Sequence, residues 1–351
     1  MYQITAMAFR AVLIDSPCSL LLGNNGVEGS RKLSRKEELD LEKQIKLLNK
    51  PAIKTIPTEY GEIYDCVDFY KQPAFDHPLL KNHTFHNKTR PASPPQWTRD
   101  RDLTTVGRPL SIGLKGGGCP NGTAPIRRTT KDDLIRAKLF SERLKSSNIN
   151  PINDETLASH YAVVRTSFDR NKKYKGVGAS MSIYNPQVTG LQLSSGQIKI
   201  QNDQDYIQFG WTVNPNIYDN HTRPFTFFSE DISGNWWLEG GPNHTKIGFW
   251  PRRIFTGLAD LATHVEWGGE VISVPGLPSP PMGSGQFPAG DTSFDALCGN
   301  IVIVNETNSI VPPENTLVFE DDDKFYKVKD MGDTQGHLRP LVLFGGPGGI
   351  I

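Results

Sequence analysis

Two stretches decide the fold: Tyr206-Ile207-Gln208-Phe209-Gly210-Trp211-Thr212-Val213 and Val265-Glu266-Trp267-Gly268-Gly269-Glu270-Val271. A period of two in side-chain character marks a strand with one packed face and one open face. The alternation places Ile207, Phe209, Trp211 and Val213 inward, and Tyr206, Gln208, Gly210 and Thr212 outward. In the second stretch Val265, Trp267, Gly269 and Val271 point inward, while Glu266, Gly268 and Glu270 point outward. Glycine weakens a strand interior unless another backbone has to come close. Gly210 and Gly268, each two residues from Gln208 or Glu270 on the same face, are therefore expected to leave room for a ligand's backbone.

Short β-rich runs recur around these two, at 161–166, 178–184, 197–200, 225–228, 235–238, 265–274 and 301–304, with turn residues between them. Short strands without intervening helices predict an all-β domain, an antiparallel β-sandwich of jelly-roll type, with 251–263 as its one helical interruption. The chain before it differs. Ser34-Arg35-Lys36-Glu37 fits a capping box, and Leu41, Ile45 and Leu48 follow as one apolar stripe that Pro51 ends. A second helix is predicted from Thr130, with Asp132 and Asp133 in its first turn and the four-apart pairs Ile135/Leu139 and Phe140/Leu144. Residues 52–128 carry no sustained period and are expected to be irregular, with a Gly116-Gly117-Gly118-Cys119-Pro120 knot. The polar stretch 146–155 suits proteolytic processing. The expected organisation is a poorly defined 1–32, an accessory segment at 33–158 with two short helices, and a β-domain at 159–351.

Composition narrows the function. Lys+Arg and Asp+Glu number 38 each, so general electrostatic attraction to nucleic acid or anionic membrane has no basis. No apolar run reaches the length of a membrane span. Residues 7–14 are weakly apolar and are interrupted by Asp15 and Pro17, so no signal peptide is read there. Six Asn-x-Thr sequons, at Asn82, Asn87, Asn121, Asn220, Asn243 and Asn305, favour a glycosylated, secreted protein. The cysteines are Cys18, Cys66, Cys119 and Cys298. None forms a CxxC or pairs with a histidine spacing, so no metal site and no cofactor are expected. Cys66 and Cys119 are the candidate disulfide, and His160 and His264 read as strand-end or packing residues.

Gln208, Glu266 and Glu270 have a bland reading, as solvated residues on the polar face of a sandwich. They also have a chemical one. An ionised Glu270 could take a proton from a water attacking a scissile carbonyl and return it to the leaving amine, while the Gln208 amide stabilises the oxyanion.

The chain resembles the plant neprosin family over residues 33–349. Tyr64-Asp65-Cys66-Val67-Asp68, residues 71–80 (Lys-Gln-Pro-Ala-Phe-Asp-His-Pro-Leu-Leu), Gly118-Cys119-Pro120-Asn121-Gly122-Thr123 and Pro125-Ile126-Arg127-Arg128-Thr129 look like its activation peptide. His160-Tyr161-Ala162, 207–211 with Asn214-Pro215, Gly234-Asn235-Trp236-Trp237-Leu238, Gly248-Phe249-Trp250-Pro251, 267–271, Met282-Gly283-Ser284-Gly285 and Phe344-Gly345-Gly346-Pro347-Gly348-Gly349 look like its peptidase domain. The resemblance implies a secreted glutamic endopeptidase on an antiparallel β-sandwich, made as a zymogen, active in acid and leaning toward proline. It implies a peptide or protein substrate and a prosegment that covers the cleft as an intramolecular inhibitor. The family's two catalytic glutamates fall on Gln208 and Glu270, with Gly210, Trp211, Trp267 and Gly268 as substrate-cleft candidates. Three departures accompany it: a family segment is expected to be missing between Phe228 and Ser229, the C-terminal cysteine pair is absent with Phe325 near the first position, and no clear secretion signal is present. The alternative is an inactive extracellular homologue that binds peptide or polysaccharide, with Trp211, Trp236, Trp237, Trp250 and Trp267 as stacking surface.

Overall fold

The computed structural model describes residues 34–58, 61–80, 118–147, 157–215, 228–230, 234–240, 245–333 and 338–349. They fall into two compact units, one drawn from the chain up to residue 135 and one from 136 onward. Asn82, Asn87, Asn220 and Asn243, the 1–32 segment and most of the processing stretch at 146–155 lie outside the described residues.

In the first unit, α1 (Arg35–Leu48) starts on the capping box: the Glu37 backbone N–H donates to the Ser34 hydroxyl, and the Glu37 carboxylate accepts from the Ser34 N–H at 3.0 Å. Leu41 is its buried residue. Residues 52–128, expected to be irregular, instead contribute β1 (Ala52–Pro57), β2 (Ile63–Asp68) and β3 (Thr123–Arg127) to an antiparallel sheet in the order β1-β2-β3. Periodicity could not reveal it, because the three strands are short and the sheet is held by other means. Cys66 on β2 is joined to Cys119 by a disulfide. Ile56, Cys66 and Cys119 form the only apolar cluster among this unit's described residues. Arg128 grips Asp65 through two nitrogens, and Arg127 bridges Glu62 and Asp133. Asp133 also accepts from the Thr130 N–H at 2.8 Å, while its own N–H donates to the Thr130 hydroxyl, which starts α2 (Lys131–Ser147). These bonds and the neighbouring guanidinium outweigh burial and hold the Asp133 carboxyl down at about 2. Asn121, the sequon asparagine among this unit's described residues, is exposed in the turn before β3.

The second unit contains β4 (Ala158–Thr166), β5 (Tyr174–Met181), β6 (Leu193–Asn202), β7 (Asp205–Val213), β8 (Phe228–Glu230), β9 (Trp236–Gly240), β10 (Thr245–Trp250), β11 (His264–Ser273), β12 (Ala296–Asn305), β13 (Ile310–Val311), β14 (Thr316–Glu320), β15 (Lys327–Gly332) and β16 (Leu341–Gly345). They make two antiparallel sheets. One runs β14-β4-β11-β6-β7; the other runs β10-β9-β8-β5-β12-β16-β15, with β13 on β12. A single apolar cluster joins their inner faces: Ile198, Ile200, Trp211, Val265, Trp267 and Val271 from the first, and Ala296, Cys298, Val342 and Phe344 from the second. This is the expected all-β, antiparallel sandwich. The 251–263 stretch is not a helix beyond one 3-10 turn at Arg252–Ile254. Its Asn202 and Asp205 partners explain why: Asn202 donates to the carbonyls of Gly257 and Leu261, and Asp205 accepts from the N–H groups of Thr256 and Leu258, taking groups a helix would use internally.

Candidate active site

The site lies on the outer face of the five-stranded sheet, and its geometry follows from register. Tyr161 on β4 stands opposite Glu270 on β11, which stands opposite Ser195 on β6, which stands opposite Thr212 on β7. The next outward row reads Val163, Gly268, Gln197, Gly210, and the next Arg165, Glu266, Lys199, Gln208. Glu270 and Gln208 thus occupy opposite corners of a diagonal that crosses the middle row. Glycine at 268 and 210 leaves that row empty on both sides of Gln197, and the two long side chains meet across it. The Gln208 Nε2–H donates to Glu270 Oε2 at 2.7 Å, and the Tyr161 hydroxyl donates to Glu270 Oε1 at 3.0 Å.

The glycines have a second cause, beside the room they were expected to leave for a ligand's backbone. Gly210 (φ +153°) and Gly268 (φ +149°) sit where their own neighbours come close. A Cβ on Gly210 would lie 1.7 Å from the Gly196 carbonyl oxygen, and one on Gly268 would lie 2.2 Å from that of Ala162. Trp211 and Trp267, expected at the cleft, are instead in the core, at 1 % and 0 % exposure. The inward glycines make room in that core: a Cβ on Gly196 would strike the Trp211 indole, and one on Gly269 would strike Met282 and Phe344. The Trp211 indole N–H donates to the Ser182 carbonyl at 2.8 Å, so its polar edge is also used inside.

Around the pair runs a polar network that the sequence reading did not assemble. The second Gln208 N–H donates to Gln197 Oε1, and Gln197 Nε2 donates to Glu266 Oε1 at 3.2 Å. Glu266, expected among the outward residues, is 5 % exposed, with Lys199 Nζ at 3.5 Å and His264 Nε2 at 3.4 Å. Phe168 stacks on His264 at 3.9 Å and covers that end. Tyr161, Gln197, Lys199 and His264 all obey the same alternation as Gln208, but only register shows which of them meet.

The two carboxylates are pushed opposite ways. Burial drives the Glu270 carboxyl above its ordinary range, against the opposing pull of the Gln208 and Tyr161 hydrogen bonds and the Lys199 charge. Burial also opposes charge on Glu266, yet the His264 hydrogen bond and the Lys199 ammonium outweigh it and hold that carboxyl low. Burial and the nearby Glu270 charge push the Tyr161 hydroxyl up, so it stays a donor. Among the described residues no group of His, Cys, Asp and Glu is arranged to hold a metal ion.

The neprosin family model matches residues 190–233 and 228–347, and the neprosin activation-peptide model matches 55–165. The chain belongs to the neprosin family. As a neprosin-family member it is a peptidase-like protein with an activation peptide. The neprosin match carries both Gln208 and Glu270, and the activation-peptide match carries the second half of β1 and all of β2 and β3 and extends past Tyr161. The two neprosin stretches overlap at β8. Among the described residues no helix is long and apolar enough to cross a membrane.

Proposed function

We propose that this protein is a secreted glutamic-type endopeptidase, made with an inhibitory prosegment, in which Glu270 is the general base. The observation that supports this most is the half-buried Glu270 carboxylate on the outer sheet face, held at one oxygen by the Gln208 amide and at the other by the Tyr161 hydroxyl. The ionised carboxylate takes a proton from a water as that water attacks the scissile carbonyl. Protonation makes the Glu270 oxygens poorer acceptors, which frees the Gln208 N–H and the Tyr161 O–H to turn to the developing oxyanion. Glu270 then returns its proton to the leaving amine. A carboxyl raised by burial accepts and returns a proton more evenly in mild acid than an ordinary one. Activity therefore falls as pH drops through the Glu270 midpoint, because the base is lost.

Export and cleavage beside proline come to the proposal from family membership. The loss of a family segment at 228/229 belongs to it too, supported by the division of the neprosin match into two overlapping stretches there. Of the five indoles the binding-only reading drew on, Trp211, Trp236, Trp237 and Trp267 are buried and Trp250 is half-buried. The test is proteolysis of a peptide library by the processed protein at acid pH. Glu270→Gln is expected to lower kcat/KM by about 10³-fold or more; undiminished hydrolysis would end the peptidase reading.

A further inference from the structure

The two carboxylates of β11 are connected through two amides that lie on other strands. Glu266 on β11 accepts from Gln197 on β6, Gln197 accepts from Gln208 on β7, and Gln208 donates back to Glu270 on β11. A primary amide can present either its oxygen or its NH₂, and nothing about the shape of Gln208 decides between them. The far end of the chain does. Glu266 is an acceptor on both oxygens, buried, with Lys199 and His264 against it. It can only accept, so Gln197 turns its NH₂ toward Glu266 and its oxygen toward Gln208. That oxygen in turn demands an N–H from Gln208, and the same NH₂ group's other hydrogen is left for Glu270.

We propose that Glu266 and Gln197 are positioning residues that fix the polarity of the Gln208 amide, so that Glu270 always meets a donor and never a carbonyl. The inference rests on the reading of Glu270 as the base. Neither Glu266 nor Gln197 hydrogen-bonds to Glu270's own oxygens, so any hold they have on the donor it meets passes through Gln208.

The charged and titratable groups on that face are Tyr161 and Arg165 from β4, Lys199 from β6, and Glu266 with His264 on Glu270's own strand; β7 offers the neutral Gln208 and Thr212 and, beyond Gln208, Tyr206, over whose ring Lys199 lies. Among these, a purely electrostatic role for Glu266 and a positioning role predict opposite signs. If Glu266 acted on Glu270 only through its charge, removing that charge would make Glu270 easier to ionise, and its midpoint would fall. If Glu266 sets the amide, its removal lets Gln208 turn its oxygen toward Glu270, and the midpoint rises. Gln197→Met separates the two again, since it breaks the chain at unchanged charge and nearly unchanged volume.

The experiment is a pH titration of the full chain, carboxyl-labelled at glutamate, followed by difference infrared spectroscopy, with the Glu270 band assigned by its loss in Glu270→Gln. Both Glu266→Gln and Gln197→Met are expected to raise the Glu270 midpoint by roughly one unit, the size of one lost hydrogen bond to a charged group. A lowered midpoint in Glu266→Gln, or an unmoved one in Gln197→Met, overturns the proposal. The readout does not depend on hydrolysis. A chain that shows both upward shifts yet cleaves no peptide would sink the peptidase reading and leave the positioning role standing.

Discussion

At the residue scale, the site is made by what is missing as much as by what is present. Glu270 and Gln208 meet only because positions 268 and 210 carry no side chain, and those positions carry none because the β4 and β6 backbones press against them. Gly210→Ala is therefore expected to destabilise the protein by about 3 kcal/mol or more, since a Cβ would face both backbone strain and a carbonyl. Gly276 makes the control: its φ is +75° but nothing lies within 4 Å of an added Cβ, so Gly276→Ala should cost only about 1–2 kcal/mol. Urea denaturation of both variants gives the comparison. Tyr161→Phe removes a donor to the ionised form of Glu270 and a candidate oxyanion donor. Its kcat/KM should fall roughly 10²-fold, and the acid limb of its pH profile should move upward. A profile unchanged in position would mean the 3.0 Å bond does not form in solution.

These residues also mark where a single chain becomes legible and where it does not. Alternation alone places Gln208 and Glu270 on open faces. It cannot say that β6 lies between them, so Tyr161, Gln197 and Glu266 were ordinary polar residues until register set them in rows. Gly210 and Gly268 are visible too, but a sequence shows that a backbone comes close without showing whose. Trp211 and Trp267 went the other way: their inward parity already said core.

At the element scale, β16 and β14 escape a reading from sequence for different reasons. β16 is buried along its whole length, which gives a continuous apolar run with no period. β14 is an edge strand with half its residues open, and its pattern is too weak to read. The small sheet of β1 to β3 depends on the Cys66–Cys119 link, whose sequence separation of 53 corresponds to about 4 kcal/mol of loop-closure entropy. Reduction is expected to open this sheet, and amide exchange of β2 and β3 before and after reduction will register it. Protection that persists would show that the arginine pairs suffice. Among the described residues, β8 holds β9 and β10 to their sheet through two ladder positions on β5, against a nine-residue register between β11 and β6. Its amides should exchange well ahead of those of β11.

At the scale of the whole molecule, acidity acts on the two units through different groups. For Asp133 the folded-state value, about 2, lies below the ordinary 3.8. Its stabilising contribution is thus fully present above about pH 4 and disappears as pH falls toward 2, amounting to on the order of 1–2 kcal/mol. Asp65, also lowered against burial by Arg128 and Thr55, follows the same direction. A drop to about pH 5 should therefore leave the activation-peptide fold intact, and a far-ultraviolet titration of the full chain should show no transition above about pH 4. A transition near pH 5 would instead make acid itself the trigger.

The sandwich segregates its duties by face. Strand β11 packs Trp267, Gly269 and Val271 against Met282 and Phe344 on one side and carries Glu266 and Glu270 on the other. Heritable change on the outer side can therefore proceed without rebuilding the interior. Gln208→Glu is one step of this kind: it should fold as before, yet bring two carboxyls to hydrogen-bonding distance, where they must share a proton and titrate as one unit in two stages. The acidity at which the molecule works is thus open to single exchanges on an exposed surface, while its architecture is kept by residues those exchanges never meet.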